Sequence, residues 1–363
     1  ARRPSMTKAA ELAKMGEVLT NSQIGGRRNI FINGAMQVAQ RGTSATDLGS
    51  TSGFYTVDRW ETAMSGNAGR FTMSQVDSGL NGFGNAIKLD CTTADTDLGT
   101  TEFLLIQQKI EGQNVQQLKK GTSDAERVTV SFYAKVVGSA TKIVLELNDG
   151  DNNRIVSKLF TLTTNWARYS YTFPADTTGV LDDDNATSLT LKMWLHAGSS
   201  YTTGTLGETW ASRTNANRAV GIDSFFSSTD NEFFLTGIQL EVGSVVTPFE
   251  HRSFGEELLL CQRYFQLISG GAVMPNSSTG IEGSVTRQEM RAATSISVTA
   301  AMKVEDPSVT TYTQSSASAT ISNSDKFAEK FTLQNFSGLN TQRPYFLKNP
   351  QDGGGQIELD AEL

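Results

Sequence analysis

The organisation of the chain is decided by residues 233–265, which read Phe-Phe-Leu-Thr-Gly-Ile-Gln-Leu-Glu-Val-Gly-Ser-Val-Val-Thr-Pro-Phe-Glu-His-Arg-Ser-Phe-Gly-Glu-Glu-Leu-Leu-Leu-Cys-Gln-Arg-Tyr-Phe. The first half alternates and predicts a half-buried strand, whose apolar side is formed by Phe234, Ile238, Leu240 and Val242. Pro248 has no N–H to donate and restricts the residue before it to an extended conformation. The strand is therefore expected to end before this proline.

A helix follows the proline. Residues 253–256 read Ser-Phe-Gly-Glu, a capping box that opens a helix. The expected apolar face of this helix, at the spacing i, i+3, i+4 and i+7, consists of Leu258, Cys261, Gln262 and Phe265. Because the helix separates two β-rich stretches, we predict a β-sandwich over residues 27–252 and a smaller C-terminal β domain over residues 253–363.

Two groups of motifs frame the predicted sandwich. The first reads Gly-Gly-Arg-Arg-Asn-Ile-Phe-Ile-Asn-Gly-Ala-Met-Gln-Val-Ala-Gln-Arg-Gly-Thr at 25–43 and Tyr-Thr-Val-Asp-Arg-Trp at 55–60. The second reads Ile-Gln-Leu-Glu-Val-Gly at 238–243, Thr-Pro-Phe-Glu-His-Arg-Ser at 247–253 and Glu-Leu-Leu-Leu-Cys-Gln-Arg-Tyr-Phe at 257–265. Together they resemble tail-fibre and related receptor-binding proteins of tailed phages, notably marine ones. The resemblance implies a homotrimeric virion protein, assembled in the host cytoplasm, that attaches to the host surface.

Composition limits the class of protein. The chain has 363 residues with 33 glycines and 7 prolines, and its short β-prone runs alternate with turn signals, which is typical of an all-β protein with more than one domain. The net charge is −7 without a dense basic block, which argues against nucleic acid as a partner. No apolar run approaches about 18 residues, so we expect no membrane insertion.

Two further expectations come from the cysteines and the N-terminus. Cys91 and Cys261 lie far apart inside predicted elements and are expected to be buried free thiols, which suits a reducing cytoplasm. The N-terminus lacks the apolar segment of a signal peptide, so we expect no export by that route.

Residues 1–26 are predicted to form a helical docking arm. Apolar residues recur there at helical spacing, which indicates a short amphipathic helix that needs a partner to be stable. We expect it to dock onto tail, adaptor or other virion proteins through Leu12, Met15, Val18 and Leu19. A disordered leader is the alternative.

The predicted sandwich rests on several alternating runs. Residues 127–137 direct one set of apolar side chains inward, namely Val128, Val130, Phe132, Ala134 and Val136. Residues 142–147 and 189–195 do the same with Ile143, Leu145 and Leu147, and with Leu189, Leu191, Met193 and Leu195. Strands with one buried and one wetter face, at this spacing, indicate an antiparallel jelly roll.

Part of the sandwich resembles a second group of proteins. The opening Asn-Gly-Ala-Met-Gln at 33–37, the strand with Trp60 and the closing run at 233–240 are similar to carbohydrate-binding jelly rolls. Such modules often hold a structural Ca²⁺ through a carboxylate after the Asn-Gly and an Asp in the final strand. Here those places hold Gln37 and Thr236-Gly237, whereas a hard cation prefers carboxylate oxygens. We therefore expect no metal and no other cofactor.

The C-terminal domain is predicted to be a set of short strands between Ser/Thr/Gly-rich turns, at about 273 and over 281–285, 295–299, 319–321, 330–333 and 356–363. Large side chains are few in this domain. We therefore expect neighbouring subunits to complete its core, which favours the trimer that the fibre resemblance implies.

The candidate binding residues lie in and beside residues 197–221. This segment lacks periodicity and exceeds about 15 residues, the length beyond which an ordered loop is usually functional. Aromatic side chains stack on sugar faces and polar ones bind hydroxyls. The candidate glycan contacts in this segment are Tyr201, Trp210, Arg213 and Asn215. The alternative for Trp210 is that it pins the segment to the sandwich.

A second set of candidates lies on the strand before the segment. Lys192, Trp194 and His196 occupy the side opposite the predicted core residues and are candidate contacts for the same ligand. The alternative is that this face is covered by the segment or by another subunit.

Enzyme signatures are missing from the sequence. His196 and His251 are its two histidines and neither lies near a Gly-x-Ser-x-Gly elbow, while phosphate-loop, His-Glu-x-x-His and Cys-x-x-Cys motifs do not occur. The aspartates at 182–184 and 149–151 are candidate metal loops, but 149–151 lacks the later Gly and terminal Glu of an EF-hand and is interpreted as a solvated turn. We therefore predict a non-enzymatic protein that attaches a virion to a host surface polysaccharide. Two alternatives remain: a structural fibre or adaptor of the capsid, neck or tail, and a polysaccharide depolymerase with paired carboxylates across a cleft.

Overall fold

The computed structural model describes residues 8, 28–324, 328–348 and 354–363. The chain divides into two units, residues 1–253 and 254–363, and each has its own hydrophobic core. The proposed docking arm, with Leu12, Met15, Val18 and Leu19, lies outside the described residues and stays a prediction.

The first unit is built from antiparallel strands. Its described strands are β1 (Ser44–Leu48), β2 (Glu61–Ser65), β3 (Arg70–Leu80), β4 (Phe83–Thr93), β5 (Phe103–Glu111), β6 (Val128–Val137), β7 (Lys142–Asp149), β8 (Arg154–Thr161), β9 (Ala167–Phe173), β10 (Thr187–Ala197), β11 (Ala211–Ser212) and β12 (Glu232–Val242). They form two six-stranded sheets: sheet A, with the order β1-β3-β4-β12-β6-β9, and sheet B, with the order β11-β8-β7-β10-β5-β2.

Short helical turns connect some of these strands. They are α1 (Ser199–Thr202) and the 3-10 turns Gly112–Asn114, Gln116–Leu118, Asn215–Asn217 and Phe225–Ser227. No described helix of the chain is long and apolar enough to cross a membrane.

The two sheets form the predicted jelly-roll sandwich. Strands far apart in sequence lie side by side, since β12 pairs with β4 and β10 pairs with β5. The core contains fully buried residues from both sheets, including Phe132 and Leu235 of sheet A and Leu145 and Met193 of sheet B. The mainly β, antiparallel fold class is thereby confirmed.

The alternation that predicted the strands is correct for β6, β7 and β10. All of the inward residues named from the sequence lie in the core: Val128, Val130, Phe132, Ala134, Val136, Ile143, Leu145, Leu147, Leu189, Leu191, Met193 and Leu195. The inward assignment of Phe234 was wrong. Phe233 and Leu235 are buried instead, because a bulge between Thr236 and Gln239 shifts the register of β12 by a residue.

The two framing motifs meet in space. The Glu250 carboxylate accepts hydrogen bonds from the backbone N–H groups of Arg28, at 3.2 Å, and Asn29, at 2.7 Å. The Arg252 guanidinium donates to the backbone oxygens of Phe31, at 3.0 Å, and Asn29. We call Asn29, Glu250 and Arg252 the hinge clamp. It joins the start of the sandwich to the segment that follows its last strand.

The side chains of the first motif extend this connection into the core. Asn29 donates to Ile238 O at 3.0 Å and accepts from the N–H of Leu240 at 3.1 Å, so it is bonded to β12 in both directions. Asn33 is fully buried, and its carbonyl oxygen accepts a hydrogen bond from Trp60 Nε1 at 3.1 Å. Within the motifs that carry the fibre resemblance, Asn29, Asn33 and Trp60 therefore have structural roles.

The second unit begins with α2 (Phe254–Gln262). Its described strands are β13 (Phe265–Ile268), β14 (Ala272–Pro275), β15 (Ile281–Thr286), β16 (Ser295–Val298), β17 (Lys303–Glu305), β18 (Thr311–Thr313), β19 (Ala319–Ser324), β20 (Ala328–Leu333), β21 (Tyr345–Leu347) and β22 (Ile357–Asp360). They form sheet C, β13-β22-β16, and sheet D, β18-β17-β21-β14-β15-β20-β19. The predicted helix extended too far, because Phe265 already pairs with Asp360 in sheet C.

The second unit closes its own core. Ile281, Phe331, Tyr345, Ile357 and Leu359 are fully buried within one chain. The expectation that neighbouring subunits complete this interior was wrong for these positions. The reason is that β22 lies between β13 and β16 and packs its apolar side against sheet D residues.

Cys91 and Cys261 are buried free thiols, as predicted. Burial raises the pKa of the Cys91 thiol to about 11, so this side chain is unreactive near neutral pH.

The bulge in β12 generates a test of the fold. Gly237 has a φ of 57°, and a Cβ there would lie 2.7 Å from the Phe83 ring and 2.8 Å from the Tyr133 ring. We expect Gly237→Ala to lower the free energy of unfolding by about 1–3 kcal/mol, measured by urea denaturation. The matched control is Gly84→Ala in β4, where a Cβ meets no atom within 4 Å. Equal unfolding midpoints for the two variants would show that the bulge does not need glycine.

Candidate functional site

Polar side chains form a row across the outer face of sheet B. Glu61 of β2 lies opposite Gln107 of β5, which lies opposite Lys192 of β10, which lies opposite Glu146 of β7. Two residues further along these strands, Lys109 and Asn148 extend the polar surface. We call Glu61, Gln107, Lys109, Glu146, Asn148 and Lys192 the polar strip. Strands lie about 4.8 Å apart, so these side chains are held at short, fixed intervals.

Hydrogen bonds order the polar strip. Gln107 Nε2 donates to Glu61 Oε2 at 2.8 Å, and Lys109 Nζ lies 2.9 Å from the same oxygen. Lys192 Nζ donates to Asn148 Oδ1 at 3.1 Å. Lys192 remains partly exposed, whereas Gln107 and Asn148 are mostly buried. The strip therefore presents carboxylate, amide and ammonium groups in fixed positions.

An apolar row lies beside the polar strip on the same face. It runs from Leu105 through Trp194 to Val144 on adjacent strands. Residues 198–224, which we call the covering segment, pack onto it through Tyr201, Leu206 and Ile222. Trp194 is only 1% exposed, and the Tyr201 ring lies 5.2 Å from it. The sequence placed Trp194 on the correct face, but the covering segment shields it from a ligand.

A buried ion pair fixes the covering segment to the strip. Arg218 Nε donates to Glu146 Oε2 at 2.9 Å and its second nitrogen donates to Oε1 at 2.6 Å. The guanidinium also lies 4.7 Å from the centre of the Trp194 ring. A bidentate pair of this kind fixes orientation as well as distance.

His196 lies inside the protein, away from the polar strip. Its Nδ1 lies 2.8 Å from Ser224 Oγ, and its ring makes an edge contact with Phe226 at 5.1 Å. The side chain has no exposed surface, so His196 is not available to a ligand. Burial lowers the pKa of His196 to about 4, against the weaker opposing effect of Asp95.

Trp210 is the second anchor of the covering segment. Its Nε1 donates to Pro174 O at 2.9 Å, and the Lys120 ammonium lies 4.9 Å from its ring centre. Lys120 is itself buried between the carboxylates of Asp149 and Asp176. Trp210 therefore pins the segment to the sandwich. The interpretation of Asp149 as part of a solvated turn was wrong, because it is fully buried in this cluster.

Arg213 and Asn215 are exposed on the covering segment, while Tyr201 is half-buried on the apolar row. The Arg213 side chain makes no hydrogen bond or ion pair with another described residue, and its charge acts on Lys192. Of the predicted contacts, Lys192 lies in the polar strip, and Arg213 is near enough for its charge to act on Lys192. The structure does not gather all seven predicted residues into one pocket.

The ammonium of Lys192 is electrostatically perturbed. Burial lowers its pKa to about 8, and the charges of Arg218, Arg213 and Lys109 act in the same direction. Glu146 opposes them. Burial is thus the main cause of the shift, and the largest effect of a neighbouring charge is that of Glu146.

A separate cleft of about 390 Å³ lies between the residues that follow β5 and those that follow β9. It is lined by Val115, Gln116, Lys119, Lys120, Thr122, Asp124, Val180 and Leu181. Its size would accept a small ligand, but none of its lining side chains is aromatic. Among the described residues, no group of three or more His, Cys, Asp or Glu is placed to hold a metal ion.

Sequence reasoning missed most of the polar strip. Gln107 and Lys109 alternate with the core residues Ile106 and Ile110 along β5, and Glu146 and Asn148 alternate with core leucines along β7. This alternation was a usable signal, since it puts them on the side opposite Leu145 and Leu147. The partners Arg218 and Glu146 are 72 residues apart, and no local pattern connects them.

Comparisons with known proteins give structural neighbours but no sequence match. No protein-family model and no curated protein sequence matches the chain. Solved structures similar to it include the family 11 carbohydrate-binding module from Clostridium thermocellum with a β-1,3-1,4-mixed-linked tetrasaccharide, at 14% identity over 57% of this chain and 99% of that one, with a TM-score of 0.29. TmCBM61 with β-1,4-galactotriose is 12% identical over 60% and 99% of the two chains, also at 0.29.

A phage protein is among the similar structures as well. The enzymatically active domain of bacteriophage CBA120 tailspike protein 4 is 10% identical over 59% of this chain and 21% of that chain, with a TM-score of 0.29. These structural neighbours are thus carbohydrate-binding modules and a tailspike domain, at low identity and low TM-score. The function is therefore argued from the side chains of this chain.

Burial of His196 generates a pH prediction. The folded protein keeps this imidazole neutral down to about pH 4, whereas the unfolded chain takes up its proton near pH 6.5. The unfolded state therefore binds more protons between these values, and this contribution to stability, present above pH 6.5, is lost as the pH falls to about 4. Urea denaturation should show that His196→Gln removes up to about 3 kcal/mol of this pH dependence. His251→Gln, which changes an exposed histidine, should keep it; a pH profile unaltered by His196→Gln would contradict the assignment.

The Arg218–Glu146 pair generates a stability prediction. Arg218→Met leaves the fully buried Glu146 carboxylate without its cation, so we expect the free energy of unfolding to fall by about 3–5 kcal/mol. The double variant Arg218→Met/Glu146→Gln contains no such charge and should regain a large part of that loss. If urea denaturation finds the single and double variants equally destabilised, the pair does not hold the segment.

Proposed function

We propose that this chain is a non-enzymatic attachment protein of a tailed-phage virion, a tail fibre or related appendage, that binds a host surface glycan through the outer face of sheet B. The observation that carries the proposal is the polar strip. Glu61, Gln107 and Lys192 lie side by side on three adjacent strands, and Arg213 and Asn215 are exposed on the covering segment.

The strip has the chemistry that sugars require. Sugar hydroxyls both donate and accept hydrogen bonds in fixed geometry, and the strip offers carboxylate acceptors, amide groups and an ammonium donor. The half-buried Tyr201 adds an aromatic edge beside it. A rigid sheet positions these groups more accurately than a loop does, which reduces the ordering cost on binding.

The placement of the carboxylates supports binding without turnover. A glycosidase needs one carboxylic acid and one carboxylate on either side of the scissile bond. In the strip, Glu61 is engaged by Lys109 and Glu146 by Arg218, and Glu146 is fully buried. Neither group is positioned to protonate a leaving oxygen.

The assignment to a phage fibre and to a homotrimer rests on the framing motifs that resemble those proteins. In the structure these motifs form the hinge clamp, which closes the sandwich. A trimer would present three copies of a weak site, and their multivalency would supply avidity.

A second candidate function is a capsid, neck or tail fibre or adaptor that binds no receptor. The burial of Trp194 beneath the covering segment and the use of Trp210 as an anchor of that segment favour it, since side chains suited to stacking are not presented to a ligand. Binding to glycans separates the two candidates.

The test uses the purified chain on an array of bacterial surface glycans, followed by calorimetry with the glycans that bind. Gln107→Ala and Asn215→Ala should each weaken binding about five- to tenfold, because each removes a hydrogen-bonding side chain at the proposed site. Ser170→Ala, an exposed change on sheet A, is the matched control and should bind like wild type. Absence of binding to every glycan favours the adaptor, and release of new reducing ends from a bound polysaccharide would establish a depolymerase instead.

A further inference from the structure

Four cationic side chains gather on the outer face of sheet B. Lys109 and Lys192 belong to the strands, and Arg213 and Arg218 belong to the covering segment. All three other cations act electrostatically on Lys192. Only two carboxylates of the strip, Glu61 and Glu146, face them. Positive charge is therefore in excess on this face, although the chain as a whole has a net charge of −7.

The two carboxylates are already engaged. Glu61 lies 2.9 Å from Lys109 Nζ, and Glu146 forms the bidentate pair with Arg218 at 2.9 and 2.6 Å. This leaves Lys192 and Arg213 without a counter-charge at ion-pair distance among the described residues.

Lys192 has unused hydrogen-bonding capacity. Its ammonium group has three N–H donors, and the one acceptor it meets among the described residues is Asn148 Oδ1 at 3.1 Å. The side chain is largely buried but retains some exposure on the strip, while Arg213 is exposed on the covering segment and its charge acts on Lys192. Removing an ammonium group from water costs free energy unless the group is paired with an opposite charge. An anion bound at this position would therefore stabilise the charged Lys192.

We propose that the glycan bound by the strip is acidic, and that a carboxylate, phosphate or sulfate group on the sugar binds at Lys192 and Arg213. This inference rests on the proposed function and specifies the ligand class of the same site. An anionic group would supply the missing counter-charge, and the planar guanidinium of Arg213 can bind two of its oxygens at once.

The inference implies a pH dependence of binding. The groups around Lys192 are Asn148 and Glu146 of β7, Lys109 of β5, and Arg213 and Arg218 of the covering segment. The pKa of Lys192 is lowered to about 8, so the ammonium loses its charge within the range in which the protein can be studied. Because the anion binds the charged form, affinity should be constant below this pH and should fall above it.

The experiment compares matched acidic and neutral glycans with the full chain. The array contains uronic-acid, phosphate-bearing and sulfated bacterial oligosaccharides, together with their carboxyl-reduced, dephosphorylated and desulfated forms. We expect binding to acidic members and at least tenfold weaker binding to the corresponding neutral forms. The acidic class that binds identifies the anion. Equal binding of acidic and neutral forms would overturn this inference alone, whereas no binding to any glycan would overturn the proposed function with it.

Variants then locate the anion contact. Lys192→Met and Arg213→Ala should each weaken binding of the acidic glycan about tenfold at pH 7. Lys192→Arg should retain most of the affinity and should abolish the decline above pH 8, because a guanidinium stays charged. Lys135→Met, which removes a lysine from the outer face of sheet A, should behave like wild type. Unchanged affinity in Lys192→Met, or a decline above pH 8 that persists in Lys192→Arg, would overturn the assignment.

Discussion

The hydrogen bonds of the hinge clamp are the constraint on which the rest of the sandwich depends. Glu250 and Arg252 bind backbone groups of residues 28–31, and Asn29 binds β12 in turn. Hydrogen bonds to charged groups contribute about 1.5–3 kcal/mol each, more than neutral ones. β12 pairs with β4 on one side and β6 on the other, so the clamp fixes a central strand of sheet A. With that strand in place, the core against sheet B is determined.

The two faces of sheet B have different roles, since the inner face forms the core and the outer face forms the candidate site. The inner face carries the leucines and methionine that fill the core, while the outer face carries the polar strip and the apolar row. The covering segment is fixed by Arg218 on Glu146 and by Trp210 near Lys120, so a stretch without regular secondary structure is nevertheless ordered. A ligand at the strip would therefore meet groups that are already in position, which lowers the entropic cost of recognition.

Local periodicity was sufficient to predict the strands and their inward faces, because alternation is a property of the neighbouring residues alone. It failed at Phe234, where the bulge at Gly237 reverses which residues face the core. Local periodicity also failed to predict the candidate site, because the polar strip and its contacts join residues that are far apart in sequence. Trp194 and His196 were placed on the right strand, but the fold decides that residues 198–224 cover Trp194 and that His196 is buried against Ser224 and Phe226. Asp149 seemed a turn residue because its partner, Lys120, lies 29 positions away.

The bond between Arg28 and Glu250 has a mechanical consequence, since it spans 222 positions of sequence. The bond closes a loop that contains both sheets. Tension applied to the chain at these two residues is therefore borne by a few hydrogen bonds at the point of closure. As long as these bonds hold, the two sheets between Arg28 and Glu250 bear little of that tension, and the outer face of sheet B keeps its shape.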